Sequence, residues 1–499
     1  MANYETVVGL EIHAHLKTES KMFCSCGTGP KGKDYKASEK DDPNVRICPL
    51  CTGQPGTLPV PNEKAIEDTI LLGLALGSEI NPKFNFERKN YYYPDLPKAY
   101  QITSATNPPV IGGGLEIEVD GDEKFIQLDH VHLEEDAGKL THDKSGDFSL
   151  VDLNRAGTPL LEIITQPVLS NGREATTFMK NLQSILRYLD ISDADMEKGQ
   201  MRCDANISVR KVGTKELGVK VEIKNMNSFK MIEKAIAYET KRQIEVLEDG
   251  GKLEQETRGW DDNKGKTTPQ RSKEFANDYR YFPEPDIPPI ETGKGKAFDP
   301  KTIADRLPEL PKEKKNRFVA DYGVSEHDAH LLSLNFDLAR YYEQAIEAIP
   351  AEAKGSEERK KAGKAVANLL ITEILGKISA EESIDEIKIT PENLAELVIL
   401  IGAGEISGKI AKELIPEMLA TGTGAKSLVF EKGLVQISDE GELNKIIVQV
   451  LAENANQVME YKSGKEALYG FFVGQVMKIT KGQANPAKVN EILKKELSK

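Results

Sequence analysis

Near the start of the chain, "GLEIHAHL" (Gly9 to Leu16) alternates Glu11, His13 and His15 with Leu10, Ile12, Ala14 and Leu16. This pattern predicts a strand with one apolar and one polar face. The polar face has two readings. It is either a wetted surface, as on most half-buried antiparallel strands, or part of a divalent-cation site, because a carboxylate and an imidazole two residues apart can converge on one ion. Two other segments bear on the choice. In "TPLLEIIT", residues 158–165, Glu162 stands among Leu160, Leu161, Ile163 and Ile164. A buried carboxylate is costly unless paired or metal-bound, and the alternative is an outward-facing group on an edge strand. In "HVHLEEDAGK", Glu135 shares a face with Val131 and Leu133, whereas Glu134 follows His130 and His132. Glu11, His13, Glu135 and Glu162 therefore form a candidate site for Mg²⁺, with Mn²⁺ a rival because of the imidazole.

Four of the five cysteines fall in two tight pairs, Cys24 with Cys26 and Cys48 with Cys51, and Cys203 stands alone. Two such knuckles can present four thiolates tetrahedrally to Zn²⁺, and four protein ligands leave no open position, so the expected role is structural. The alternative is a set of free thiols or a redox pair, but no thioredoxin-like βαβ pattern surrounds them. The segment "RKNYYYPDLPKAYQI", residues 88–102, holds Lys89 and Lys98 among tyrosines and prolines. It reads either as an ordinary surface loop or as the lining of a polar pocket in which lysines order a charged group. Near the end, Lys478, Lys481 and Lys488 belong to a short basic stretch. That stretch is either a solvated helix face or a place for phosphate-backbone contacts.

The elements that must position these residues change in character along the chain. Up to about residue 290, strand-like stretches such as "LEIEVDG", "CDANISVRKV" and "GVKVEIKNM" alternate with Gly, Pro and Asp turns. Two helices interrupt them. One, over 174–189, aligns Phe178, Met179, Leu182, Ile185, Leu186 and Leu189. The other aligns Ile232, Ala235, Ile236, Ile244 and Leu247 and stops at Gly250 and Gly251. The proline-rich residues 281–296 mark a boundary, after which the period is helical. The fold class expected is an α+β domain over 1–292, an all-α helical domain over 293–405, and an all-α tail over 406–499.

Composition bounds the function. The chain has 499 residues, 39% hydrophobic and 29% charged, which fits a multidomain globular protein. A net charge of −14 argues against coating nucleic acid through bulk positive potential, though not against a local basic patch. The absence of a leader-like start or a long apolar run predicts a cytoplasmic protein with no membrane partner.

Taken together, "GLEIHAHLKTESKMFCSC", "CPLC", "RKNYYYPDLPKAYQI", "HLEEDAGK", "LVDLNRAGTPLLEI", "MRCDANISV" and "DYRYFPEPDIPP" closely resemble the B-subunit family of the bacterial-type glutamyl-tRNA(Gln)/aspartyl-tRNA(Asn) amidotransferases. The likeness extends to a YqeY-like helical tail. The resemblance implies a ligase working in a heterotrimer with an amidase A subunit and a small C subunit. ATP would phosphorylate the side-chain carboxylate of Glu-tRNA(Gln) or Asp-tRNA(Asn), and ammonia channelled from the amidase would displace phosphate. It implies a cradle-shaped α+β domain with Mg²⁺ on Glu11, His13, Glu135 and Glu162. It also implies an ammonia route lined by Lys89 and Lys98 with Glu135 near its exit, a structural zinc on Cys24, Cys26, Cys48 and Cys51, and a tRNA-contacting tail. The adenine pocket is not identified by the motifs.

Overall fold

The computed structural model describes residues 4–29, 42–143, 145–272, 278–350, 356–378, 383–434, 440–480 and 484–498. The chain divides into two compact units, 1–310 and 311–499. The strands that organise the first unit are β1 (Tyr4–His15), β2 (Glu87–Asn90), β3 (Tyr100–Thr103), β4 (Asp122–Glu135), β5 (Pro159–Thr165), β6 (Met201–Lys211), β7 (Val221–Met226), β8 (Glu256–Asp261) and β9 (Lys266–Ser272). They lie in a 13-stranded sheet among the described residues, in the spatial order β9-β8-β7-β6-β1-β5-β4-β3-β2. Neighbours are antiparallel except β7 and β8, which run parallel. A parallel pair needs a long crossover, and the second sequence-predicted helix supplies it.

That alternation puts Leu10, Ile12 and Ala14 of β1 on a face where each is 1% exposed or less. Helices α1 (Glu63–Ala75), α2 (Gly172–Tyr188) and α3 (Phe229–Glu248) contribute to the same apolar core. All six aligned residues of the first predicted helix are buried there, and each such side chain contributes about 1.5–3 kcal/mol. Asn171 caps α2 by accepting from the Glu174 amide at 2.9 Å, and Ser228 caps α3 by accepting from the Met231 amide at 3.3 Å. With helices on one face, the sheet's other face is left for Glu11, His13 and His15.

The proline-rich stretch does not end the first unit. Phe298 and Ile303 are buried in its core, so residues 293–310 stay with it. The second unit is helical among its described residues. "KAVANLLITEILGKI" begins as an α-helix, Ser356–Asn368, and widens into a π-turn at Leu369–Ile374, a change that apolar periodicity does not reveal. Within the same unit, Leu443, Ile447, Val450, Phe472, Val476, Val489 and Leu493 gather into a separate apolar cluster. Among the described residues no helix is long and apolar enough to cross a membrane.

Candidate functional site

Three adjacent strands place their polar residues in one row. His13 of β1 lies opposite Glu162 of β5, and Glu162 lies opposite His132 of β4. Neighbouring strands are roughly 4.8 Å apart, so side chains in such a row meet. Glu11 stands two residues along from His13, and Glu134 two residues along from His132, on the same face. Around His13 Nε2 are Glu162 Oε2 at 3.6 Å, Glu134 Oε1 at 3.7 Å and Glu11 Oε1 at 4.0 Å. Ligand atoms of Glu11, His13 and Glu162 all lie within 4.8 Å of one another, as do those of His132, Glu134 and Glu162. The cluster opens on a polar cleft of about 400 Å³, also lined by Lys89, Tyr91, Arg202, Asp204 and Lys224.

The electrostatics are those of anions gathered faster than cations. Burial, with the charge of Glu162 beside it, pushes Glu11 up to about 7. Burial also raises Glu134, again with Glu162 contributing. Burial opposes charge on His13, yet the nearby carboxylates of Glu162, Glu134 and Glu11 push it up to about 9. Lys89 behaves alike: burial pulls its ammonium down, and Glu134 and Glu162 more than restore it. Glu162 is held well below the carboxylate range despite burial, by His13 and His132. The cluster thus gathers three carboxylates about one imidazole. A mostly oxygen donor set with one imidazole fits Mg²⁺ or Mn²⁺.

The structure does not bring Glu135 into this cluster. Strand alternation puts it on the opposite face from Glu134, beside Val131 and Leu133 as expected. That face meets the core, and there Lys98 forms an ion pair with Glu135 while the Ile102 amide donates to Glu135 Oε1 at 3.0 Å. Lys98 also stands 5.5 Å from the Tyr100 ring and 5.9 Å from that of Phe23, within cation–π range. Glu134 therefore takes the place that the sequence reading gave to Glu135. Lys89 and Lys98 are likewise separated: Lys89 lines the cleft, and Lys98 lines a small cavity of about 20 Å³ with Phe23, Leu50, Cys51 and Glu135. Such a cavity holds about one water-sized molecule. Asp136 borders both spaces.

The four cysteines converge. Cys51 Sγ lies 3.6 Å from Cys24 Sγ and 3.7 Å from Cys48 Sγ, and all four sulfurs are within 4.8 Å of each other. Zinc–sulfur bonds of about 2.3 Å in a tetrahedron imply S···S edges of roughly 3.8 Å, so the quartet fits Zn²⁺. Lys21, only 1% exposed, donates from Nζ to the Arg46 carbonyl at 2.8 Å and the Leu153 carbonyl at 3.1 Å. Its ammonium also lies 3.5 Å from Cys51 Sγ, where it would balance thiolate charge. Gly53 closes the second knuckle at φ +67, and a Cβ there would lie 2.7 Å from the Pro97 carbonyl oxygen. The knuckle is thereby seated against the loop that carries Lys98.

The sequence reading passed over His132 and Glu134, whose signal was present. They alternate with Val131 and Leu133 just as Glu11 and His13 alternate with Leu10 and Ile12. Asp136 was also missed. It accepts from His15 Nε2 at 2.7 Å and pairs with Arg202 and Arg155, each at 3.2 Å, which gives His15 a positioning task. In the second unit Lys478 and Lys488 are exposed, and Lys481 lies outside the described residues.

Comparison with known proteins identifies relatives over the whole chain. Residues 6–296 match the family model described as the GatB/GatE catalytic domain, and residues 353–497 match the GatB domain. The aspartyl/glutamyl-tRNA(Asn/Gln) amidotransferase B subunit of Carboxydothermus hydrogenoformans is 48% identical over 503 residues, covering 100% of both chains. The corresponding B subunits of Desulfotalea psychrophila and Moorella thermoacetica are 47% and 46% identical, each over 99% of this chain and 100% of the relative. The chain therefore belongs to the family of aspartyl/glutamyl-tRNA(Asn/Gln) amidotransferase B subunits.

Proposed function

We propose that the cleft around His13 is where the side-chain carboxylate of Glu-tRNA(Gln) or Asp-tRNA(Asn) is activated by ATP and then amidated. The observation that carries this reading is the convergence of Glu11, Glu134 and Glu162 on His13 at 3.6–4.0 Å in a polar cleft flanked by Lys89 and Lys224. In the first step a carboxylate oxygen of the substrate attacks the γ-phosphorus and ADP leaves. In the second, ammonia attacks the acyl carbon, the C–N bond forms, the C–O bond breaks, and phosphate departs with a proton. Glu11, His13, Glu134 and Glu162 would hold a divalent cation, which neutralises phosphoryl charge and templates the two substrates when bound. Lys89 and Lys224 supply fixed positive charge at the same opening.

Ammonia is water-sized, and the cavity beside Lys98 and Glu135 has room for one such molecule. We assign these two residues to its delivery, from an amidase A subunit braced by a C subunit. The cysteine quartet, with structural zinc, stiffens the wall of that cavity, since Cys24 and Cys51 line it. The first unit would form the catalytic cradle, followed by a helical domain and by a tail from residue 406 that contacts tRNA through Lys478, Lys481 and Lys488. Removing the tail should weaken tRNA binding and reduce its salt dependence, leaving glutamine hydrolysis unchanged; equal affinity and salt slope would refute the tail assignment.

The main test is His13→Ala or Glu162→Gln in the reconstituted complex. Both should abolish ATP- and tRNA-dependent amide formation and leave tRNA binding nearly intact. Undiminished amide formation in both would overturn the assignment and make this chain a tRNA-binding scaffold.

A further inference from the structure

Glu162 is not oriented by the cation cluster alone. On the side away from Glu11, His132 Nε2 lies 3.1 Å from Glu162 Oε2. The other nitrogen of that ring is engaged in turn: His132 Nδ1 lies 3.0 Å from His130 Nε2, and the two rings stack with centroids 5.1 Å apart. His130 Nδ1 is 2.6 Å from Asp129 Oδ2, and Gln166 Nε2 donates to Asp129 Oδ1 at 2.5 Å. Every ring nitrogen in the pair thus has a partner. The chain runs from a buried carboxylate to a half-exposed one, with side-chain exposures of 4% for His132, 19% for His130 and 48% for Asp129.

The geometry points to a positioning role: Asp129 and His130 fix the ring of His132, and His132 fixes the carboxylate of Glu162 for the divalent cation. Outer groups of this kind hold ligating carboxylates in one orientation, and their loss weakens metal binding although they never touch the metal. β-strand alternation alone would leave three polar side chains free to rotate. The hydrogen bonds remove that freedom, so Glu162 need not reorganise when the cation arrives. The inference rests on the cation site proposed above and extends it to two residues outside it. Asp129 and His130 are not among the groups whose ligand atoms converge there.

The test is Mn²⁺ titration of the purified complex by electron paramagnetic resonance, in parallel with the Mg²⁺ dependence of amide formation. His130→Ala should weaken Mn²⁺ binding by about tenfold or more, the scale of losing an outer-shell partner. It should raise the Mg²⁺ requirement to a similar degree, with little change in the rate at saturating Mg²⁺ or in the melting temperature. His130→Gln, whose amide can reach the His132 Nδ1 position, should restore most of the affinity. Asp129→Asn changes only an exposed group, so it tests the far end of the chain without endangering the fold, and a smaller loss is expected. Wild-type Mn²⁺ affinity in both His130→Ala and Asp129→Asn, with binding lost in Glu162→Gln, would overturn the inference and leave the site standing. Wild-type affinity in Glu162→Gln would overturn the site and the inference together.

Discussion

The carboxylate clusters around Glu239 and around His13, both in the first unit, are built on opposite principles. Around Glu239, which is fully buried, every charge is answered at hydrogen-bond length. Arg242 donates to it at 2.6 and 3.0 Å, Gln243 at 3.0 Å and Thr267 at 2.9 Å, while Arg258 pairs with Glu256 at 2.7 Å. Around His13, Glu11 and Glu134 approach the imidazole at 3.7–4.0 Å, beyond the length of a good hydrogen bond. A saturated cluster ties α3 to β8 and β9. An anion-rich one leaves room for a cation and a substrate. Neighbouring Glu134 and Glu135 repeat the contrast within two residues, since Glu135 is paired one to one with Lys98 and Glu134 is not so paired.

If this distinction is right, the two clusters must respond oppositely to mutation. Glu162→Gln should abolish amide formation, a loss of at least about a thousandfold and the worth of several kcal/mol of lost charge stabilisation. Its charge is stabilised by His13 and His132 but raises Glu11 and Glu134, so the two contributions oppose each other and the melting temperature should change little. Glu239→Ala should do the reverse, costing about 3–5 kcal/mol of stability by breaking a buried charge network that includes Arg242, Gln243 and Thr267, with the activity per folded molecule preserved. Denaturation curves and initial rates on the same samples decide between these patterns; a stability loss in Glu162→Gln as large as that in Glu239→Ala would erase the distinction.

A smaller effect separates Glu134's face from Glu135's. Lys98→Met should reduce glutamine-dependent amide formation by about a hundredfold, the scale of a misplaced reacting group, while phosphorylation of the substrate carboxylate persists. Equal loss of both steps would place Lys98 with the activation chemistry instead.

The smallest effect concerns Asp136, at the border of the two spaces. Burial disfavours its charge, but His15, Arg202 and Arg155 hold its carboxyl well below the usual carboxylate range. A folded pKa below the unfolded value of about 3.9 means that Asp136 contributes stability above that pH, lost progressively as the pH falls toward the folded value. Melting temperature against pH should therefore decline less steeply below about pH 5 in Asp136→Asn than in the wild type. Parallel profiles would show that Asp136 is not linked to acid stability.

Much of this was legible in the sequence where information is local. Alternation in "GLEIHAHL" fixed which residues share a face, cysteine spacing announced the sulfur quartet, and the apolar setting of Glu162 marked it as unusual. The choice between Glu134 and Glu135 was not local. Alternation put them on opposite faces, but which face meets a lysine depends on Lys98, delivered by a loop 37 residues away. Burial among apolar neighbours therefore misled: Glu135 is buried because it is satisfied. The compact unit runs past the proline-rich stretch to residue 310 for a similar reason, because Phe298 and Ile303 return across it to the first core.

The central claim is that carboxylate activation belongs to Glu134's face of the sheet and ammonia delivery to Glu135's. The most direct measurement is first-turnover formation of ADP by the complex with charged tRNA and ATP but no ammonia donor. Wild type and Lys98→Met should both form ADP in a tRNA-dependent burst, and Glu134→Gln and Glu162→Gln should form none. A full burst in Glu162→Gln, or its loss in Lys98→Met alone, would contradict the account.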